Sequence, residues 1–262
     1  MAKPVPISPS TLKDHGWKPA ADLGFSRQWS SVPIVAAEIE HLMPVVPIAF
    51  RQVNPSGPLF ELVGALSPLP GRNLFLRADN RWLAGYVPAL IRLYPFRPVV
   101  NSATGESVLC IEAETLCKAD TAGAQQLFDH DKPTKALQRT AAMAAEFSKA
   151  QQQTAHAVSL LAEQGLIVPW ELKIKQTDDS LRVNREFSHI DGKALRNLDA
   201  ETLHRLNAAG ALQIAYAQLL SEQRALHFNR LIKLQDDAAA QPATEDIESL
   251  FSKQDDTIKF SF

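Results

Sequence analysis

The chain has 262 residues, 45% of them hydrophobic and 21% charged, a globular balance that excludes disorder along most of its length. Its 27 Lys and Arg against 29 Asp and Glu give a formal charge of −2, so no global positive field recruits nucleic acid or an anionic membrane. Two cysteines, Cys110 and Cys117, are too few for a disulfide scaffold and form no metal-ligand spacing. The first residues carry one Lys and no apolar run, and no later stretch approaches the roughly eighteen apolar residues that cross a bilayer. A cytoplasmic protein without signal peptide or transmembrane segment is the expectation.

Prolines punctuate the N-terminal third, from Pro44 to Pro98, into short apolar runs that read as strands and turns. Around Phe60, Leu62, Gly64 and Leu66 both alternating faces are mostly apolar, the pattern of a strand near the middle of a sheet. Residues 73–78 and 82–86 flank Asp79-Asn80 and predict a hairpin. Pro88 opens a short helix through Leu93 that Pro95 stops, since the residue before a proline is pushed out of the helical region. Two further strands, 97–100 and 107–112, flank a turn at 101–105.

After Asp131 the prolines thin out, and 132–164 is rich in Ala, Gln, Leu and Glu, which predicts a long helix ended by Gly165. One face of it is apolar at both ends and polar at Gln151 and Thr154, either a binding site inside a bundle or the place where the helix leaves the core. Trp170, Leu172 and Ile174 alternate with charged residues, as does 181–187 beyond Asp178-Asp179-Ser180, which is a hairpin pattern. Asp191 and Asp199 are candidate N-caps for helices over 193–197 and 200–209, and Gly210 divides these from a last helix over 211–233. Residues 236–262 hold seven acidic and two basic residues, the composition of a disordered tail. Its Leu250-Phe251 and Phe260-Ser261-Phe262 suit docking on a sheet edge or a partner. The expected architecture is α+β, with one domain over 1–235: a strand-rich N-terminal part, a long central helix, a hairpin and a C-terminal helical pair.

Four constellations bear on chemistry. His189-Ile190-Asp191 has the spacing by which non-haem iron oxygenases place two ligands, with His204 or His227 available as a third; the plainer reading is a strand end followed by an Asp cap. Phe128-Asp129-His130-Asp131 gathers two carboxylates and an imidazole, suited to a divalent metal or acid–base work, or to a turn. Cys110 and Cys117 read as buried small side chains rather than nucleophiles. Between 72 and 97, Arg72, Arg77, Arg81, Arg92 and Arg97 against Asp79 alone give a local charge of +4, interleaved with Phe75, Trp82, Tyr86, Tyr94 and Phe96. Arginines beside rings suit an anionic or peptide ligand, or are solvated charges over an aromatic core. There is no G-x-S-x-G, phosphate loop, dinucleotide fingerprint or His-Glu-x-x-His.

Gly71-Arg72-Asn73-Leu74-Phe75-Leu76, Trp82, Gly85-Tyr86-Val87-Pro88-Ala89 and Arg92-Leu93-Tyr94-Pro95-Phe96 resemble the signature of the SapC family. Val32-Pro33, Ala37-Glu38 and Pro47-Ile48-Ala49-Phe50 are similar to its N-terminal block, and Phe128-Asp129 through Pro133-Thr134 to its middle. Leu198-Asp199, Gly210-Ala211-Leu212 and 215–221 are similar to its C-terminal block. The likeness covers roughly residues 15 to 233, with Leu93 standing where the family usually shows a second arginine. The family has no established reaction. Its name reflects a bacterial surface layer, and its genes sit near TonB-dependent receptors, tryptophan halogenases and cupin-like peptide hydroxylases. The resemblance therefore implies an accessory role in handling or modifying peptides or surface proteins. Residues and resemblance together lead to a non-catalytic binding protein without cofactor. Its peptide or protein client would be held by Arg72, Trp82, Tyr86, Arg92, Tyr94 and Phe96. The alternative is an Fe(II)-dependent peptide-modifying oxygenase using His189 and Asp191.

Overall fold

The computed structural model describes residues 4–53, 59–100, 105–175 and 181–240. Its centre is a five-stranded antiparallel sheet in the order Ile167–Pro169, Phe187–Ile190, Ile48–Gln52, Phe60–Ala65, Ser31–Pro33. Phe60–Ala65 lies between two neighbours, and Leu62, Val63 and Ala65 are buried, which accounts for its apolar residues on both faces. A three-stranded sheet joins Pro4–Pro6, Ser107–Glu112 and Phe96–Val100, and a second joins Leu116–Lys118, His15–Trp17 and Gln125–Gln126. Leu12, Trp17, Phe96, Ile111 and Leu127 form a smaller core beside the main one. The fold is α+β, and among the described residues no helix is long and apolar enough to cross a membrane.

The long helix, Lys135–Glu163, begins where the Thr134 hydroxyl accepts from Leu137 N (3.3 Å) and ends before Gly165, whose φ of 65° is open to glycine at little cost. Its polar centre is neither a bundle cavity nor an exit from the core. Thr154 is buried, donates to the Ala150 carbonyl (2.7 Å) and accepts from Ala36 N (2.9 Å), fastening the helix to the turn Ala36–Glu38. The hairpin Leu172–Lys175 with Leu181–Asn184 forms as the alternation predicts. Asp191 and Asp199 cap Gly192–Arg196 and Ala200–Ala208 through bonds from Lys193 N and Thr202 N, 2.8 Å each.

Two segments depart from expectation. Residues 73–86 make a chain reversal with a single bridge, Leu76 to Trp82, instead of a two-stranded ladder. The carbonyls of Asn73 and Leu76 both accept from Gln235 Nε2 (2.7 and 2.8 Å), and the Asn73 side chain turns the backbone by accepting from Phe75 N. Leu83 N to the Phe75 carbonyl (2.8 Å) and Arg77 N to the Arg81 carbonyl (2.9 Å) cross the reversal, while Phe75 N and Arg81 N, which would complete those pairs, bond the side chains of Asn73 and Asp79. The last helix is three pieces, Ala211–Ser221, a 3-10 turn Glu222–His227, and Phe228–Ala240. The first piece is tied to the sheet, because Gln218 bridges Ile190 N and the Ile48 carbonyl and Ser221 Oγ accepts from Ile48 N (2.9 Å). The turn then lets Phe228 re-enter the core. Asp236 and Asp237 are helical, and the tail residues 241–262 lie outside the described residues.

Ser221→Ala is expected to lower stability by about 1–3 kcal/mol, because it leaves the buried Ile48 N–H without its acceptor. Urea unfolding against the unmodified chain measures the difference.

Candidate functional site

The site is built on a buried acid. Glu38 is 4% exposed, and a carboxylate removed from water needs donors. It accepts from Ala89 N (2.6 Å), the Tyr86 hydroxyl (3.1 Å) and Val35 N (3.3 Å). The short helix Ala89–Leu93 is thereby held against the turn Ala36–Glu38. The Tyr86 ring stacks with His41 at 4.9 Å and lies 5.2 Å from the Arg92 guanidinium. Arg92 Nη2 also donates to the Tyr86 hydroxyl (2.9 Å) and Nε to the Val87 carbonyl (3.0 Å). Burial, and then the charge of Glu38, push the Tyr86 phenol up from its usual value of 10.0, and Arg92 pulls the other way.

At the end of this helix Tyr94 turns extended, as residues before proline do, and a cis peptide bond leads into Pro95. Tyr94 stacks on Phe25 with centroids 3.7 Å apart and planes 7° from parallel, and Phe25 meets Trp29 edge-on at 5.7 Å. These rings and Leu90 line a cleft of about 520 Å³. Its charged wall is largely paired: Arg51 donates to Ser31 Oγ and to Glu61, 2.9 Å each, and Arg97 lies 3.3 Å from Glu112. Arg97 Nε and Glu112 Oε2 are buried with no hydrogen-bond partner among the described residues. Burial and the nearby Glu114 and Glu112 push the Tyr94 phenol up from its usual value of 10.0. An adjoining groove of about 730 Å³ shares Phe25, Tyr94 and Phe96 with the cleft and adds Trp82 and Arg92.

Four of the residues expected to bind a client, Trp82, Arg92, Tyr94 and Phe96, thus share one groove, and Tyr86 adjoins it through Arg92. Within it the Trp82 indole donates to the Tyr86 carbonyl (2.8 Å), and Phe96 is buried edge-on to Trp17. Arg72 is placed elsewhere. Its guanidinium binds Gln235 (2.8 Å), Asp236 (2.7 Å) and the Ile232 carbonyl (3.3 Å) on the last helix.

His189 Nδ1 bonds Glu222 (2.9 Å) and its ring stacks with Trp170, while Asp191 Oδ1 caps a helix. Among the described residues no group of three or more His, Cys, Asp or Glu is placed to hold a metal ion. Asp129 and His130 sit exposed in a tight turn, with His130 at φ 56°. Cys110 is buried, and burial raises its thiol pKa, the opposite of an activated nucleophile. Sequence reasoning missed Glu38, Phe25, Trp29 and Arg51. The four-residue spacing of Phe25 and Trp29 was the available signal for the rings, and nothing local marks Glu38 as buried.

A phenol whose folded pKa is raised holds its proton in the folded state after the unfolded chain has released it, so stability falls as pH rises through 10. Tyr86→Phe is expected to flatten that alkaline decline, read as Tm from pH 8 to 11 beside the unmodified chain.

A family model described as SapC matches residues 7–231, and so takes in the whole cleft and its groove. No curated protein and no solved structure matches the chain. The match spans most of the chain, which belongs to the SapC family.

Proposed function

We propose that the chain is a non-catalytic accessory protein that binds a peptide or a segment of a client protein, seated in the cleft beside Phe25 and Tyr94. The observation that carries this reading is the cleft itself, a concave site of ligand-binding size. Its rings are already stacked, and its arginines are already oriented by Ser31, Glu61 and Glu112. A preformed site loses little freedom on binding. The adjoining groove, with Trp82 and Arg92, extends the surface along which a client chain could lie. Two balanced pairs, Arg51 with Glu61 and Arg97 with Glu112, favour a neutral or mixed-charge client over a nucleic acid. The family setting points to clients among peptides and surface proteins under modification, with a halogenase, a peptide hydroxylase or a TonB-dependent receptor system as neighbours, and the two free cysteines suit the cytoplasm as compartment. Arg72, which joins the last helix to the body, supports reading 1–235 as one domain.

A photo-crosslinking residue placed at Gln28, which is exposed and lines the cleft, is expected to capture a restricted set of peptides in host cells. Tyr94→Ala, which removes one half of the Phe25 stack, is expected to reduce capture by about tenfold, the loss for one aromatic anchor. Unchanged capture by a folded Tyr94→Ala variant would argue against this cleft. Iron measured by metal mass spectrometry on purified chain is expected far below one per chain. Near-stoichiometric iron that His189→Ala removes would overturn the non-catalytic reading in favour of the oxygenase.

A further inference from the structure

The cleft lies where two separate sheets present open edges. Ser31–Pro33 is the outer strand of the five-stranded sheet and Phe96–Val100 the outer strand of a three-stranded one, and Ser31, Pro33 and Phe96 all line the cleft. In an antiparallel pair, residues alternate between those that exchange bonds with the partner strand and those whose peptide groups point away. Bonds from Leu66 N to the Ser30 carbonyl and from Ile34 N to the Leu62 carbonyl fix that alternation on the first strand. Val32 faces its neighbour, so the N–H and C=O of Ser31 and the C=O of Pro33 point to the open side. On the second strand, the bond from Glu112 N to the Pro95 carbonyl turns Arg97 inward and leaves the N–H and C=O of Phe96 outward. Among the described residues none of these outward groups has a backbone or side-chain partner.

We propose that the cleft takes an extended peptide as an added strand, its backbone pairing with Ser31 on one side and Phe96 on the other. This rests on the peptide-binding reading of the same cleft and names what is recognised there, a backbone in β conformation. Each edge offers a donor and an acceptor on one residue, the complement of a single residue of an extended chain. Pro33 withholds a further donor and its strand is only three residues long, so the edge is too blunt to recruit strands indiscriminately. Selection then falls to the side chain that meets Phe25, Trp29 and Tyr94. The cleft's two arginines are already neutralised by Glu61 and Glu112, so a neutral backbone suits it better than a free anion.

The test uses the full chain and a mixed-position library of acetylated, amidated hexapeptides, selected for binding the unmodified protein over Tyr94→Ala, with Trp29→Ala as the second comparison should Tyr94→Ala fail to fold. Recovered peptides are remade with a single N-methyl group at each position in turn. On binding, amide exchange at both Ser31 and Phe96 is expected to slow by about tenfold or more, and N-methylation to weaken binding by about tenfold, the loss of one hydrogen bond, at positions of both parities, one set facing each edge. Ring-dependent binding with protection of neither amide, or of only one, overturns the inserted strand and leaves peptide binding standing. No hexapeptide that prefers the unmodified protein overturns both.

Discussion

The arrangement around the cleft depends on one buried carboxylate. Glu38 gathers the backbone at Val35, the first amide of the helix Ala89–Leu93 and the Tyr86 hydroxyl, groups from two parts of the chain that have no sequence reason to meet. A short helix such as Ala89–Leu93 has little stability of its own, so its position is set by what holds its end. That position fixes where Tyr94 leaves the helix, and hence where its ring meets Phe25. The aromatic wall is thus a downstream effect of an acid that does not itself line the cleft.

The same device, a side chain that satisfies distant backbone groups, holds the C-terminal helices. Gln218 and Ser221 supply the hydrogen bonds of the Ile48 and Ile190 backbones, and Arg72 and Gln235 join the last helix to the reversal at 73–86. Gln218 and Ser221 are fully buried, and buried polar groups are tolerated where each finds a partner. The polar residues of the first C-terminal helix therefore mark its packed side as much as Ile214 and Ala215 do.

Local chemistry was legible in the sequence. Both Asp caps, the glycines at 165 and 210, the long helix and the hairpin at 172–184 depend on neighbours within a few residues, and each stands near where its pattern places it. The break at Ser221 and the unformed ladder at 73–86 were not legible. At Ser221 the partner is Ile48, more than 150 positions away, and at 73–86 Gln235 takes the Asn73 carbonyl while the Asn73 and Asp79 side chains take the Phe75 and Arg81 amides. The arginine and aromatic segment was found by composition, but composition could not separate Arg72, which holds a helix, from Tyr94, which lines the cleft. Phe25, Trp29 and Arg51 enter the site only once the sheet brings residues near 30 and 50 beside 94.

The order of strands in the central sheet bears on how the chain is made. Ile48–Gln52 has one neighbour close in sequence, Phe60–Ala65, but its other side is covered only by Phe187–Ile190. A chain growing from its N-terminus completes the first pairing early and then carries an uncovered, largely apolar strand while the long helix is being synthesised. Such an edge is a template for pairing with other chains. During synthesis that edge is open to neighbouring nascent chains, and it closes when the segment that also carries His189 arrives.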